Sequence, residues 1–117
     1  MENFGDFLRK KCMDFAVDIV NLYKHLCEDK REFVLSKQLL RSGTSIGANL
    51  VEAQNGISRK DFVAKVFISL KECAETEFWL ELLFRTNYLT QYEYDDINSK
   101  CSELNKILTS IGKNSRD

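Results

Sequence analysis

Apolar residues recur at alternating steps of four and three along the first part of the chain. The repeating positions are Leu8, Cys12, Phe15, Ile19, Leu22 and Leu26. This spacing places one apolar face along a helix, with polar residues on the other face. The pattern predicts an amphipathic helix over residues 4–27. The charged run at residues 28–30 interrupts the pattern and predicts the first chain reversal.

The second apolar pattern is unusual because small residues are concentrated within it. The helical spacing is kept by Leu35, Leu39, Ile46, Leu50 and Ala53. Six of the eight residues from 41 to 48 are serine, threonine, glycine or alanine. Each glycine costs about 1 kcal/mol relative to alanine inside a helix. We therefore predict a helix over residues 31–55 whose Gly43 and Gly47 allow close approach of a neighbouring helix.

Polar signals separate this helix from a third one. Asn55 and Gly56 predict the stop, with Gly56 in the left-handed conformation that glycine adopts without penalty. Ser58 and Asp61 resemble a capping box that opens a helix over residues 59–86.

The third helix is apolar nearly all round, whereas a helix of a monomeric bundle needs only one apolar face. Ile68, Trp79 and Leu82 lie well away from its main apolar sector. We predict that these three residues form a subunit interface, since a large exposed apolar patch is a liability on a monomer. The alternative is that neighbouring helices cover them within one chain. Glu77 and Glu81 fall inside the apolar sector and are expected to need polar partners.

A second capping box, Thr90 with Glu93, opens the last helix, which we predict over residues 91–111 with Gly112 ending it. Its apolar positions are Tyr94, Ile97, Cys101, Leu104, Leu108 and Ile111. Four helices with short connections predict an all-α fold, an antiparallel up-down-up-down four-helix bundle in a single domain over residues 1–117. The absence of proline from the 117 residues agrees with long helices.

The charge of the chain limits its interactions with nucleic acid. A formal net charge of -1 gives no overall attraction to phosphates. Local basic clusters do occur, at Arg9, Lys10, Lys11, Lys37, Arg41, Arg59, Lys60 and Lys65. Two interpretations remain open for them. They are solvated helix faces, or they form a basic rim on an oligomer that binds RNA or DNA in a salt-dependent way.

Candidate catalytic and metal chemistry is sparse. The single histidine, His25, has no glutamate three residues before it, which excludes the Glu-x-x-His motifs of a di-iron bundle. We interpret His25 as a favourable charge near a helix C-terminus. The four cysteines form no C-x-x-C pair and are interpreted as reduced residues, mostly of the core; the alternative is a zinc site on which all four converge. We expect no enzyme activity, cofactor or metal.

The sequence also predicts a location. No segment approaches 18 consecutive apolar residues, and the N-terminus lacks the apolar run of a signal peptide. We therefore expect a cytoplasmic protein that does not interact with membranes.

The stretch from Arg41 to Leu82 resembles the four-helix-bundle family first described as proteins encoded in intervening sequences of bacterial 23S ribosomal RNA genes. The first family pattern is matched by Arg41, Ser42, Ser45, Ile46, Asn49 and Glu52. The second, glycine-serine-leucine-x-glutamate, is met by Ser69, Leu70 and Glu72, with Ile68 in place of the glycine. We interpret the matched residues as packing positions. The alternative is a polar site formed by Ser42, Ser45, Asn49 and Glu52.

The resemblance implies a bacterial homo-oligomer, because related bundles assemble into five-subunit rings. It also implies a nucleic-acid role, because the accessory proteins of diversity-generating retroelements are similar bundles that engage RNA and reverse transcriptase. The leading hypothesis is that the protein is a non-enzymatic scaffold or adaptor that assembles into a pentameric ring. It would then bind a partner protein that the sequence does not identify. The second hypothesis is a nucleic-acid-binding accessory protein.

Overall fold

A computed structural model describes residues 3–115, which form four α-helices and, within that range, no strand. They are α1 (Phe4–Glu28), α2 (Leu35–Gln54), α3 (Arg59–Arg85) and α4 (Gln91–Ser115). Each helix packs against the next one, and α4 also contacts α1. The prediction of an all-α protein with four helices is confirmed.

The core lies between the four helices and consists of the residues with helical apolar spacing. Its fully buried members include Leu8, Ile19, Leu26, Leu39, Ile46, Leu50, Val66, Leu80, Leu83 and Leu108. Cys12, Cys73 and Cys101 are buried among them as free thiols. Burial of a leucine or isoleucine side chain stabilises a fold by about 1.5–3 kcal/mol, so this cluster is the main source of stability.

The close approach of α1 and α2 explains why α2 has glycine at positions 43 and 47. A Cβ on Gly43 would lie 2.8 Å from Cγ1 of Ile19, and one on Gly47 would lie 3.1 Å from Cβ of Cys12. Ordinary van der Waals contact needs more room than either position offers. The predicted close approach of a neighbouring helix at these two glycines is confirmed.

The start of α2 differs from the prediction, because the helix begins at Leu35 rather than near residue 31. Arg31 adopts a left-handed conformation with φ 57°. The carboxylate of Glu32 then accepts hydrogen bonds from the backbone N–H groups of Val34, Leu35 and Ser36, at 3.1, 3.0 and 2.7 Å. These N–H groups have no partner within the helix, so Glu32 caps α2.

Two predictions about glycine are wrong in whole or in part. The helix stop predicted at Asn55 and Gly56 is confirmed, because α2 ends at Gln54, but Gly56 does not adopt the predicted left-handed conformation. A Cβ on Gly56 would lie 3.1 Å from the backbone carbonyl oxygen of Ala53. Gly112 does not end α4, which continues to Ser115. Instead, Gly112 is buried inside the helix, where a Cβ would lie 3.3 Å from the ring of Phe67 on α3.

The predicted capping box at the start of α4 forms, whereas at the start of α3 the described contacts include only the serine half of the predicted box. The side chain of Ser58 accepts a hydrogen bond from the N–H of Asp61 at 3.0 Å. At the start of α4 the bonds are reciprocal: the N–H of Glu93 donates to Oγ1 of Thr90 at 3.1 Å, and the N–H of Thr90 donates to Oε1 of Glu93 at 2.8 Å. These caps fix where α3 and α4 begin.

Candidate functional site

Residues of the two family patterns meet where α2 packs against α3, and we call this contact the α2–α3 seam. In its centre, Oγ of Ser69 donates to the backbone carbonyl of Ile46 at 2.6 Å. About two turns further along α3, Oγ1 of Thr76 donates to Oγ of Ser42 at 3.0 Å. All three hydroxyls are fully buried. An unpaired buried hydroxyl costs about 1–3 kcal/mol, so these bonds fix the register of α2 against α3.

Ion pairs flank the buried hydroxyls at both ends of the seam. At one end, Nη2 of Arg41 lies 2.9 Å from Oε1 of Glu75, and Nη1 lies 3.6 Å from Oε2 of Glu72. At the other end, Nζ of Lys65 lies 3.0 Å from Oε1 of Glu52. The family residues Arg41, Glu52 and Glu72 therefore join the two helices, as Ser42 and Ser69 do.

Glu72 is the least satisfied member of the seam. It is only 9% exposed, and its Oε2 accepts no hydrogen bond from the described residues. Burial and the neighbouring carboxylate of Glu75 raise the pKa of Glu72, and the Arg41 guanidinium only partly opposes them. The seam therefore holds a carboxylate whose charged form is disfavoured by its surroundings.

Three family residues do not reach across the seam. Oγ of Ser45 donates to the carbonyl of Arg41 at 2.6 Å, and Nδ2 of Asn49 donates to the carbonyl of Ser45 at 2.8 Å, both within α2. Leu70 packs against the core from α3. The four residues of the alternative polar site thus have different partners: Ser42 and Glu52 contact α3, whereas Ser45 and Asn49 bond their own helix.

The cysteines do not converge on one point. Cys12, Cys73 and Cys101 are buried in the core, whereas the thiol of half-buried Cys27 lies 3.8 Å from Oγ of Ser36. Burial raises the pKa of Cys12 to about 12, with a contribution from Cys73. A thiolate is the form that attacks or binds metal, so Cys12 is held in its unreactive form. Within residues 3–115, no group of three or more His, Cys, Asp or Glu side chains is placed to hold a metal ion.

The predicted interface residues lie along the outer side of α3, together with one that the sequence analysis missed. Ile68 is 39% exposed, and Trp79 and Leu82 are half-buried. The missed residue, Phe78, is 59% exposed and packs edge-on against Trp79 with ring centroids 5.1 Å apart. The helical spacing of Phe78 predicts a position in the main apolar sector of α3, facing the core. Only the packed structure shows that its side chain points outward. We call Ile68, Phe78, Trp79 and Leu82 the α3 ridge.

The two acidic residues predicted to need partners differ from each other. Glu81 is exposed and pairs with Arg85 on its own helix at 3.2 Å, so it does not lie in the core as the periodicity indicated. Glu77 is half-buried, and burial raises its pKa.

The predicted basic residues are spread over three helices, and several already have acidic partners. Nζ of Lys10 lies 3.0 Å from Oδ2 of Asp14, and Lys11 pairs with Glu103 across α1 and α4. Arg41 and Lys65 take part in the seam, and Nε of Arg59 donates to the carbonyl of Ser115 at 3.0 Å. The ion pairs of residues 3–115 do not include Arg9, Lys37 or Lys60. These three are the predicted cations whose charge is least neutralised.

Charged pairs cross the outer side of the contact between α1 and α4, which we call the α1–α4 seam. Besides Lys11 with Glu103, Nζ of Lys100 lies 3.0 Å from Oδ2 of Asp18. Nε2 of His25 lies 3.6 Å from Oε2 of Glu93. A groove of about 310 Å³ runs along this seam. His25 does occupy the last turn of α1, as predicted, and its Nδ1 lies 2.7 Å from Oδ2 of Asp29.

None of the described helices is long and apolar enough to cross a membrane. Four packed helices with polar contacts between the second and third define the class of the protein as an all-α helical bundle. Residues 8–110 match the family model of the 23S rRNA-intervening sequence protein, so the chain belongs to that family.

A solved structure agrees with this assignment. The chain is 55% identical to a protein of unknown function from the S23 ribosomal protein family of Bacteroides thetaiotaomicron, and the match covers 93% of this chain and 97% of the other. The TM-score is 0.92. No curated protein matches the chain. The resemblance inferred from the two family patterns is confirmed.

Proposed function

We propose that the protein is a non-enzymatic, cytoplasmic scaffold or adaptor that works as a homo-oligomer, with a pentameric ring as the expected assembly. The observation that carries this proposal is the α3 ridge. Its Phe78 and Ile68 are exposed, although the same helix already contributes a full face to the core. Phe78 packs on half-buried Trp79, and apolar side chains exposed together mark surfaces that contact other proteins.

The α2–α3 seam supports a structural role for the family patterns. Its hydroxyls bond a backbone carbonyl and each other, and Arg41 is engaged by two carboxylates. General acid-base or nucleophilic catalysis needs an activated group that can reach a substrate. The seam directs its polar groups towards the neighbouring helix instead, which favours packing over catalysis.

The test is the absolute mass in solution, measured by light scattering after size exclusion. We expect a mass of about five times the 13.6 kDa of one chain. Phe78→Glu should lower the mass while leaving the helical circular dichroism unchanged, because the side chain is exposed. Tyr92→Glu is the matched control, since Tyr92 is an exposed aromatic residue on α4, away from the ridge. A monomeric wild-type protein would contradict the proposal.

The second candidate is a nucleic-acid-binding accessory protein, and Arg9, Lys37 and Lys60 favour it. These exposed cations are not engaged in ion pairs within residues 3–115, so they are available to phosphates. Symmetry would repeat each of them around an oligomer, giving salt-dependent binding without sequence preference. Titration of labelled RNA at low and moderate salt tests this candidate. A flat response at low salt would exclude it, and Lys60→Glu should weaken any binding that occurs.

A further inference from the structure

Two cavities adjoin each other at one end of the bundle, where α1 and α3 begin and α2 and α4 end. The first, of about 330 Å³, is lined by Leu8 of α1, Leu50 of α2 and Phe62 of α3. The second, of about 590 Å³, lies along the last turns of α4. Phe4 and Ile111 line both cavities. We call the two together the end cavity.

The inner part of the end cavity reaches the hydrophobic core. Leu8 and Leu50, which form part of its wall, are only 2% and 1% exposed. Beside this space, Nε2 of Gln54 donates to the backbone carbonyl of Gly5 at 2.9 Å and ties the end of α2 to the start of α1. The helices are therefore held around the space instead of collapsing onto it. Apolar pockets between the helices of bundles, with a few polar groups at one side, are typical sites for small molecules.

The outer part of the end cavity has a polar edge beside an apolar one. Lys106, Ser110 and Asn114 follow each other at steps of four along α4, and Ile107 and Ile111 form the row next to them. Nδ2 of Asn114 lies 3.5 Å from Oγ of Ser110, which leaves the hydroxyl hydrogen of Ser110 able to donate to a ligand. This arrangement favours a ligand with an apolar body and a head group that accepts hydrogen bonds.

The charge of Lys106 indicates the sign of that head group. Lys106 is exposed and takes part in no ion pair within residues 3–115. It is also the one charged side chain among the described residues that line the end cavity. In the groove of the α1–α4 seam, by contrast, Lys11 and Lys100 already pair with acidic residues. An anionic head group therefore meets an uncompensated cation in the end cavity.

We propose that the end cavity binds an amphiphile that has one alkyl chain and an anionic head group, with a medium-chain carboxylate such as decanoate as the simplest example. The alkyl chain lies against Phe4 and Ile111 and reaches Leu8. The carboxylate lies beside Lys106 and accepts a hydrogen bond from Ser110. All lining residues belong to one copy of the protein, so this site does not depend on the proposed oligomer.

The first experiment is calorimetric titration of the full-length protein with decanoate, at low salt and below its micelle concentration. We expect saturable binding of one decanoate per protein chain. Octanoate should bind about tenfold more weakly, because burial of each CH₂ group strengthens binding about fourfold. Decyltrimethylammonium, which has the same alkyl chain and a cationic head group, should bind more weakly than decanoate.

Two variants locate the head group and the alkyl chain. Lys106→Glu should weaken decanoate binding about tenfold and strengthen decyltrimethylammonium binding, because an attraction becomes a repulsion and the reverse. Lys113→Glu is the matched control, since Lys113 is an exposed lysine of α4 that does not line the cavity. Phe4→Ala should weaken both ligands about tenfold by removing an apolar wall. Its control is Phe33→Ala, an exposed phenylalanine at the opposite end of the bundle.

The native side chains at all four positions are exposed, so each variant should keep the native circular dichroism. A folded wild-type protein that shows no saturable decanoate binding would overturn the proposal. Decanoate binding that neither Lys106→Glu nor Phe4→Ala weakens would also overturn it, since the ligand would then lie elsewhere. Equal affinity for decanoate and decyltrimethylammonium would overturn the anionic head group.

Urea denaturation gives a second readout of the same site. The end cavity is lined by residues of all four helices, so a bound ligand stabilises the folded bundle as a whole. Decanoate should raise the urea midpoint of the wild type in a concentration-dependent way, and it should raise that of Lys106→Glu less. An unchanged midpoint of the wild type at saturating decanoate would contradict binding to the folded state.

Discussion

The cap formed by Glu32 gives the most quantitative prediction. Its carboxylate accepts three backbone hydrogen bonds at the start of α2, and the residue is only 9% exposed. Loss of an N-cap costs about 1 kcal/mol, and a negative charge at a helix N-terminus adds about 0.3–1 kcal/mol. We expect Glu32→Gln to lower the free energy of unfolding by about 1 kcal/mol at pH 7. Glu32→Ala should lower it by about 2 kcal/mol.

The pH dependence of this difference tests its electrostatic origin. Burial alone would raise the pKa of Glu32, but the hydrogen bonds from Ser36, Leu35 and Val34 outweigh it and hold the pKa below its usual value. A carboxyl group with a lowered folded pKa adds stability above its unfolded pKa. That stability is lost as the pH falls through the folded pKa. The gap between wild type and Glu32→Gln should therefore close at strongly acidic pH.

Urea denaturation at pH 7 and at about pH 3, at fixed protein concentration, measures this gap. Glu28→Gln is the matched control, because Glu28 is exposed and caps nothing; it should change stability by less than about 0.5 kcal/mol. Equal stability of wild type and Glu32→Gln at pH 7 would refute the capping role. A gap of the same size at both pH values would refute its dependence on charge.

Three further predictions concern the packing between helices, each measured by urea denaturation. Ser69→Ala should cost about 0.5–1.5 kcal/mol, because it removes a buried hydrogen bond to the carbonyl of Ile46, which keeps its helical N–H donor; a neutral result would mean that water replaces the hydroxyl. Gly43→Ala should cost about 1–3 kcal/mol despite better helix propensity, because the new Cβ meets Ile19 at 2.8 Å; a more stable variant would contradict the close approach. Glu72→Gln should be neutral or stabilising at pH 7, because burial raises the pKa of Glu72 and the charged form weakens the fold as the pH rises through that pKa. This difference should vanish below the unfolded pKa, and a large loss of stability at pH 7 would show that the ion pair with Arg41 dominates.

The fold could be predicted from the sequence because its signals are local. Alternating steps of four and three predicted the apolar faces, and an N-cap serine and a capping box predicted the starts of α3 and α4. The predicted start of α2 was wrong because a glutamate in the sequence does not by itself distinguish a helix cap from a helix interior. Its role depends on Arg31 turning the chain through a left-handed conformation, which periodicity does not encode.

The functions of the glycines needed the tertiary structure. Gly56 does follow the end of α2, but without the predicted left-handed conformation, and Gly112 lies inside α4 within close reach of the ring of Phe67. The α2–α3 seam was only partly predictable. The family patterns identified Ser42 and Ser69. Thr76 belongs to neither pattern, and its hydrogen bond to Ser42 is seen only in the packed structure.

The contrast between the two seams has a consequence for how the molecule opens. The α2–α3 seam combines core packing with buried hydroxyl bonds, whereas ion pairs between partly exposed side chains cross the α1–α4 seam. Exposed ion pairs contribute little and are screened by salt. The lowest-energy partial unfolding therefore separates α1 from α4 and leaves the α2–α3 hairpin closed. Backbone amides of α1 and α4 will exchange with deuterium sooner than those of α2 and α3, and added salt will widen the difference.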